Sequence, residues 1–376
     1  VEAQVEGAIL NSAELFDPQS ETWAPVGYLN EARMNLTATL LPDGRVLIAG
    51  GWTGTTHLNS AELYDPTSAS FTLTGDLNIP RSSFRSILLP NGRVLAAGGI
   101  FLESAEEYDP AAGTWTMAGS MSDIRSDPTL TLLGTGQVLV SGGYDAEGEV
   151  ISTDLYTPVT TGWMATGAGV YPRHGHTASL LPDGLVLVAG GSSVDYNAWK
   201  FLNHGTAELF NPATGIWSLT GPLPAPPGTG HTATALQDGR ILVTGGDQFD
   251  GFRPKTRPNC NLYDPAAGTW SETGPMIGNL ITDPDAWDYG VNWGRAGHTA
   301  TLLQDCRVLA AGGLMAIPDT FDYLSITAEI YDPATETWTR TMDMYKERSN
   351  HTATLLPDGR VLVAGGSINS TYSTTR

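Results

Sequence analysis

Cysteine, lysine and long apolar runs are scarce in this chain, and each shortage excludes something. Two cysteines, neither in a CxxC pair, rule out a disulfide-framed scaffold and leave a structural zinc site without thiolate ligands. Three lysines in a chain of net charge −21 provide no basic stripe for phosphates, which argues against nucleic acid and against an anionic membrane surface. No stretch approaches the ~20 apolar residues of a membrane-spanning helix, so no membrane insertion is expected. No amphipathic helical period runs through the sequence, which sets α/β architectures aside. No GxSxG elbow marks a serine hydrolase. Val1 opens no recognisable signal peptide, and we expect an exported chain, extracellular or periplasmic, with its leader removed.

Glycine is abundant, 44 in 376 residues, beside a hydrophobic share of 41% that suffices to bury a core. Length alone would suggest two or three domains, unless repeats hold one large unit together. Repeats are present. The phrase HTATLLPDGRVLVAGG at 351–366 returns as LTATLLPDGRVLIAGG from Leu36 and HTASLLPDGLVLVAGG from His176. Its closing glycine doublet occurs seven times: Gly50–Gly51, Gly98–Gly99, Gly142–Gly143, Gly190–Gly191, Gly245–Gly246, Gly312–Gly313 and Gly365–Gly366. A second phrase, AELYDPxxxxW, also occurs seven times, always with two aromatics seven apart, as in Tyr64/Phe71 and Tyr331/Trp338.

Each phrase reads as a β-hairpin. The first turns at Asp-Gly or Asn-Gly, for which we expect a primed turn with φ > 0 at both residues. The second turns at segments such as DPAAGT. Four strands per unit, repeated around a ring, predict an all-β fold, a seven-bladed β-propeller of four-stranded blades. The expected blades are 36–73, 84–117, 128–164, 176–219, 231–272 and 298–340, with 351–366 completed by 11–24. Pairing the N- and C-terminal hairpins in that last blade would close the ring, remove exposed sheet edges and make residues 1–376 a single domain.

The glycine doublet followed by a tyrosine and then a tryptophan resembles the kelch repeat, and the resemblance covers residues 11–366. The seven blades are similar to the propeller domain of galactose oxidase-like proteins. Kelch propellers include copper-radical oxidases, sugar-acid isomerases, adaptors and actin binders, so the resemblance implies a fold more than a function. The copper-radical set is not found: no Tyr-His dipeptide occurs, Cys306 replaces the glycine of a turn, and Cys260 begins a strand.

With the strands of a blade named a to d outward, the variable connections are b–c and d–a, on one face. Six of the d–a spacings are 13 or 14 residues, and the one from Trp270 to His298 is 28. That insertion brings Trp287, Tyr289 and Trp293, and the long b–c loop 192–206 brings Tyr196 and Trp199. Arginine stands three residues before six of the seven TATLL phrases: Arg33, Arg81, Arg125, Arg173, Arg295 and Arg348. Gly228 takes its place in the seventh. Two readings follow: a positive funnel that holds an anion, or ties to a carboxylate or carbonyl of the next blade. His176, His231, His298 and His351 open the repeat phrase and read as structural, whereas His57, His174 and His204 fall outside it.

Asp283, Asp285 and Asp288 invite calcium, although no EF-hand spacing is present and solvated loops explain them as well. Asn35, Asn350 and Asn369 stand in sequons. We expect a non-catalytic binding module with no resident cofactor. It would hold a carbohydrate or an acidic peptide with Trp287, Trp293, Tyr289, Tyr196, Trp199, His174 and the six arginines. The alternatives are an enzyme acting on a sugar or small carbonyl compound, and a structural unit of a surface assembly.

Overall fold

The computed structural model describes residues 8–195, 200–249, 254–280, 292–315 and 323–368, and no helix occurs among them. Seven four-stranded antiparallel sheets form the blades. Blade 1 is typical: strands a to d are Thr37–Leu40, Val46–Ala49, Ala61–Asp65 and Ser70–Leu73. The a strands contact one another in sequence around the ring, and the last, Thr352–Leu355, returns to the first, Thr37–Leu40. Blade 7 joins the two ends of the chain. Its a and b strands are Thr352–Leu355 and Val361–Ala364, and Ser12–Asp17 pairs with the latter in the register Ala13↔Ala364 to Phe16↔Val361.

Burial follows from this layering. Strand b lies between neighbouring blades, so all four residues of Val46–Ala49 are buried, and such strands read as continuous apolar runs rather than alternating ones. Strand d is the outer edge; Ser70–Leu73 has no fully buried residue. The two repeated aromatics pack on each other across strands c and d, with ring centroids 5.0 Å apart in Phe16–Trp23 and 4.9 Å in Tyr64–Phe71. They then reach into the adjacent blade: Tyr108 and Trp115 of blade 2 join Leu47 and Leu63 of blade 1 in one cluster.

The a–b turn differs from the expected primed type. Only the glycine is left-handed (Gly44 at φ 86), and the Leu41 carbonyl accepts the Gly44 N–H at 3.0 Å. Pro42 explains the difference, because its ring holds φ near −65° and imposes a type I turn followed by a one-residue bulge. In blade 6 that bulge position is Cys306, at φ 74. The long b–c loops also differ from expectation, since each carries a two-stranded hairpin: Ser192–Asp195 with Lys200–Asn203, Asp247–Phe249 with Pro254–Thr256, and Leu314–Met315 with Tyr323–Leu324. Neighbours among these hairpins touch, forming a wall over blades 4, 5 and 6.

Candidate functional site at the channel mouth

The d–a connectors deliver one left-handed residue per blade to the rim of the central channel. These are Asn35, Ser83, Asp127, Gly175, Gly230, Gly297 and Asn350, with φ between 52 and 66. Asn, Asp and Gly tolerate this region best, which is why they dominate the position. Five backbone bonds link the rim head to tail. Asp127 N–H donates to Ser83 at 2.7 Å, Ser83 to Asn35 and Asn35 to Asn350 at 3.2 Å, Asn350 to Gly297 at 3.2 Å, and Gly297 to Gly230 at 2.8 Å. The links on either side of Gly175 are not made.

Behind the rim lies a channel of ≈ 620 Å³ walled by the a strands. The first residue of strand a is threonine in six blades (Thr37, Thr129, Thr177, Thr232, Thr299 and Thr352), all but Thr299 lining the channel, and Arg85 in the seventh, paired with Asp127 of the next blade. The four repeat histidines serve these threonines across blade boundaries: His176 Nε2 lies 3.0 Å from Thr129 Oγ1, and His231, His298 and His351 meet Thr177, Thr232 and Thr299 at 3.2, 3.1 and 3.1 Å. Burial keeps all four neutral, lowering His231 to about 4 and His351 to about 3. The structural reading of these histidines agrees with their geometry.

The arginines do not form a funnel. Arg33, Arg81, Arg125, Arg173, Arg295 and Arg348 are each at most 3% exposed, and each meets a buried carboxylate on strand c of its own blade. The partners are Glu62, Glu106, Asp154, Glu208, Glu329 and Glu14. The guanidinium also donates to the first glycine of the doublet, as in Arg81 Nη1 to Gly98 O at 2.7 Å. The carboxylate in turn accepts backbone N–H groups of the d–a connector, such as Tyr345 and Lys346 on Glu14 at 2.7 and 3.1 Å. Each pair thus pins connector, doublet and strand c together. This corrects the anion-holding reading, and it places the tie within a blade rather than to the next. Blade 5 lacks both members at once, with Gly228 for the arginine and Asn261 for the carboxylate. A Cβ at Gly228 would lie 1.7 Å from Asp247 O, so the strand Asp247–Phe249 occupies the space an arginine would need.

Three histidines remain. His57 Nδ1 lies 2.9 Å from Ser82 Oγ, with its ring on Trp52. His204 Nε2 lies 2.9 Å from Ser193 Oγ, the His204 and Tyr171 ring centroids are 5.6 Å apart, and burial lowers the imidazole to about 4. His174 Nδ1 lies 3.2 Å from Glu149 Oε1, and the Tyr144 ring meets it edge-on at 5.8 Å. Tyr144 lines the channel. Arg85, Asp127, Tyr144 and Glu149 escaped the sequence reading. Arg85 carried a signal as the break in the threonine ring, and Asp127 as a member of the left-handed rim.

Tyr196, Trp199, Trp287, Tyr289, Asp283, Asp285 and Asp288 lie outside the described residues; Trp293 pairs with Asn279, and its side chain lies outside them. Among the described residues no three His, Cys, Asp or Glu side chains converge as a metal site. Both cysteines are free, and burial raises the Cys260 thiol to about 12. These residues do not fit a copper-radical centre.

Comparison with known proteins agrees with the repeat. The kelch motif family matches residues 36–78. A kelch-like protein, terF, of Aspergillus terreus is 29% identical over 136 residues, 36% of this chain and 26% of that protein. An F-box/kelch-repeat protein of Arabidopsis thaliana is 28% identical over 178 residues, 45% of this chain and 32% of that one. The match therefore spans about a third or less of either relative. Among solved structures, a fungal alcohol oxidase of the AA5 family in complex with copper superposes with TM-score 0.66 at 16% identity, covering 89% of this chain and 74% of that one. That likeness concerns the fold alone.

Proposed function

We propose that this chain, a kelch-repeat β-propeller, is a binding module that takes a carbohydrate at the channel mouth on its b–c/d–a face. The carrying observation is the character of that mouth. A channel of ≈ 620 Å³ is rimmed by amide, hydroxyl and backbone groups, with Arg85 and Asp127 already neutralising each other. Neutral donors and acceptors suit hydroxyl groups, and aromatic faces suit sugar rings. Tyr144 at the channel and Tyr171, 38% exposed on the blade 4 connector, supply such faces. Trp287, Tyr289, Trp293, Tyr196 and Trp199 stand in b–c and d–a connections of the sequence and would extend such a surface. An acidic peptide is the weaker choice, because the six repeated arginines are spent inside the blades. A carbohydrate ligand suits an exported protein, extracellular or periplasmic. A protein partner is the second reading, favoured by the F-box/kelch-repeat relative.

The test is calorimetric titration with a panel of neutral oligosaccharides. A saccharide that binds should bind at least about tenfold more weakly to Tyr144→Ala or Tyr171→Ala, a loss of about 1.4 kcal/mol. Equal affinity in both variants, or no binding across the panel, would count against the reading.

A further inference from the structure

Six of the seven histidines meet a hydroxyl group. His174 differs, since its neighbour is a carboxylate. Its Nδ1 is shut off from solvent, with Glu149 Oε1 3.2 Å away but not in line for a hydrogen bond, while its side chain is 28% exposed and, among the described residues, no group bonds Nε2. Glu149 is 7% exposed, and its second oxygen accepts the Val194 N–H at 3.2 Å. Burial works against the charge on Glu149, yet His174 and the Val194 N–H bring its carboxyl below the usual range. The His174 backbone is fixed by Ser192, which it pairs in both directions at 3.0 Å. The next residue, Gly175, is where the rim opens. Among the described residues the N–H groups of Gly175 and Gly230 bond no carbonyl, whereas the other five rim residues all donate around the ring.

A carboxylate beside Nδ1 selects the Nδ1–H tautomer and leaves the Nε2 lone pair free to take a proton. Uncommitted backbone N–H groups nearby are the kind of donor that stabilises charge on a carbonyl oxygen. We propose that His174 is a general base, oriented by Glu149, that hydrolyses an ester or lactone of the saccharide bound at the channel mouth, with the Gly175 and Gly230 N–H groups receiving the carbonyl oxygen. Nε2 takes a proton from water as the water oxygen bonds to the carbonyl carbon and an electron pair moves onto the carbonyl oxygen. When that pair returns, the carbon–oxygen bond to the alkoxide breaks and the alkoxide takes the proton back from Nε2. Lactone plus water gives a hydroxy acid, and the imidazole is regenerated. Glu149 is a positioning residue here. Asp247, Tyr144 and buried His176 are the other titratable groups around the imidazole. The inference rests on the carbohydrate reading for the choice of substrate.

The experiment measures hydrolysis of D-glucono-δ-lactone by pH-stat and of p-nitrophenyl acetate by absorbance, with the full chain and four variants. Wild type should exceed the buffer rate, and His174→Gln should lose at least about 100-fold of the excess. Glu149→Gln should lose about 10- to 100-fold, whereas Glu149→Asp, which keeps the carboxylate, should recover most of that loss. A merely structural Glu149 would not separate the two variants in this way. His57→Gln, an exposed imidazole elsewhere on the face, should leave the rate unchanged and so measures incidental imidazole catalysis. A wild-type rate equal to buffer, full activity in His174→Gln, or equal losses in Glu149→Gln and Glu149→Asp overturns the proposal. Saccharide binding without turnover overturns hydrolysis alone; absence of both overturns the carbohydrate reading with it.

Discussion

Replacing Glu106 with glutamine removes one charge from a pair that has no access to water. Arg81 Nη2 donates to Glu106 Oε1 at 2.7 Å, and both side chains are fully buried. Arg81 also donates to Gly98 O at 2.7 Å and to Ser104 O at 3.0 Å, while Glu106 accepts the Asn78 and Ile79 N–H groups at 2.7 and 3.1 Å. Burial pushes the Arg81 guanidinium below its ordinary value, and Glu106 opposes that push. The glutamine amide would turn donors toward groups that are already donors and leave the guanidinium uncompensated. Breaking such a pair costs about 3–5 kcal/mol. Arg81→Met should cost a similar amount, because it strands a carboxylate and two carbonyls. The double variant Arg81→Met/Glu106→Leu should fall short of the sum by about 2–3 kcal/mol, since the second change removes a charge already unpaired. Urea unfolding followed by tryptophan fluorescence reads this directly. At a slope of about 3 kcal/mol/M, each single variant moves the midpoint by about 1 M or more. Single variants within about 0.5 kcal/mol of wild type, or a double variant equal to the sum, would refute the tie as described. Blade 5 already illustrates the double case, having lost Arg and carboxylate together at Gly228 and Asn261.

Two further outcomes follow from the geometry. Cys306→Gly should raise stability by about 1 kcal/mol, since Cys306 sits at φ 74 where other a–b turns place glycine; a thermal midpoint at or below wild type would contradict it. The buried histidines make stability depend on pH in a definite window. Their folded values lie below the unfolded ~6.5, so their contribution is complete above pH 6.5 and is lost as pH falls toward about 4 for His231 and about 3 for His351. That loss is roughly 3 kcal/mol or more for each of the two, and His231→Gln should flatten the dependence in urea titrations between pH 7 and 4.

Much of this fold was legible because a repeat states the same constraint seven times. The seven-residue aromatic spacing predicted strands c and d, and a chain beginning with one hairpin and ending with the other predicted the closing blade. The arginine position was visible, but its role depended on its partner. The answer stood in the second phrase, as the Glu of AELYDP, and blade 5 changed both positions together. The hairpins on the b–c loops were not legible, since their sequences share no phrase with the repeat. Nor was the His174–Glu149 contact, which joins residues 25 apart in the chain through the juxtaposition of two blades. The rim is an intermediate case: Asn, Ser, Asp and Gly two residues after the arginine carry the mark of left-handed backbone, but only alignment of all seven copies makes it visible.

The most direct test of the account is a crystal structure of the protein soaked with a saccharide that binds it in solution. The sugar should sit at the channel mouth over blades 2 to 4, against Tyr144 and the rim, with Arg33, Arg81, Arg125, Arg173, Arg295 and Arg348 still on their internal carboxylates. A sugar on the outer strands or the a–b turn face, or one held by any of those six arginines, would contradict it.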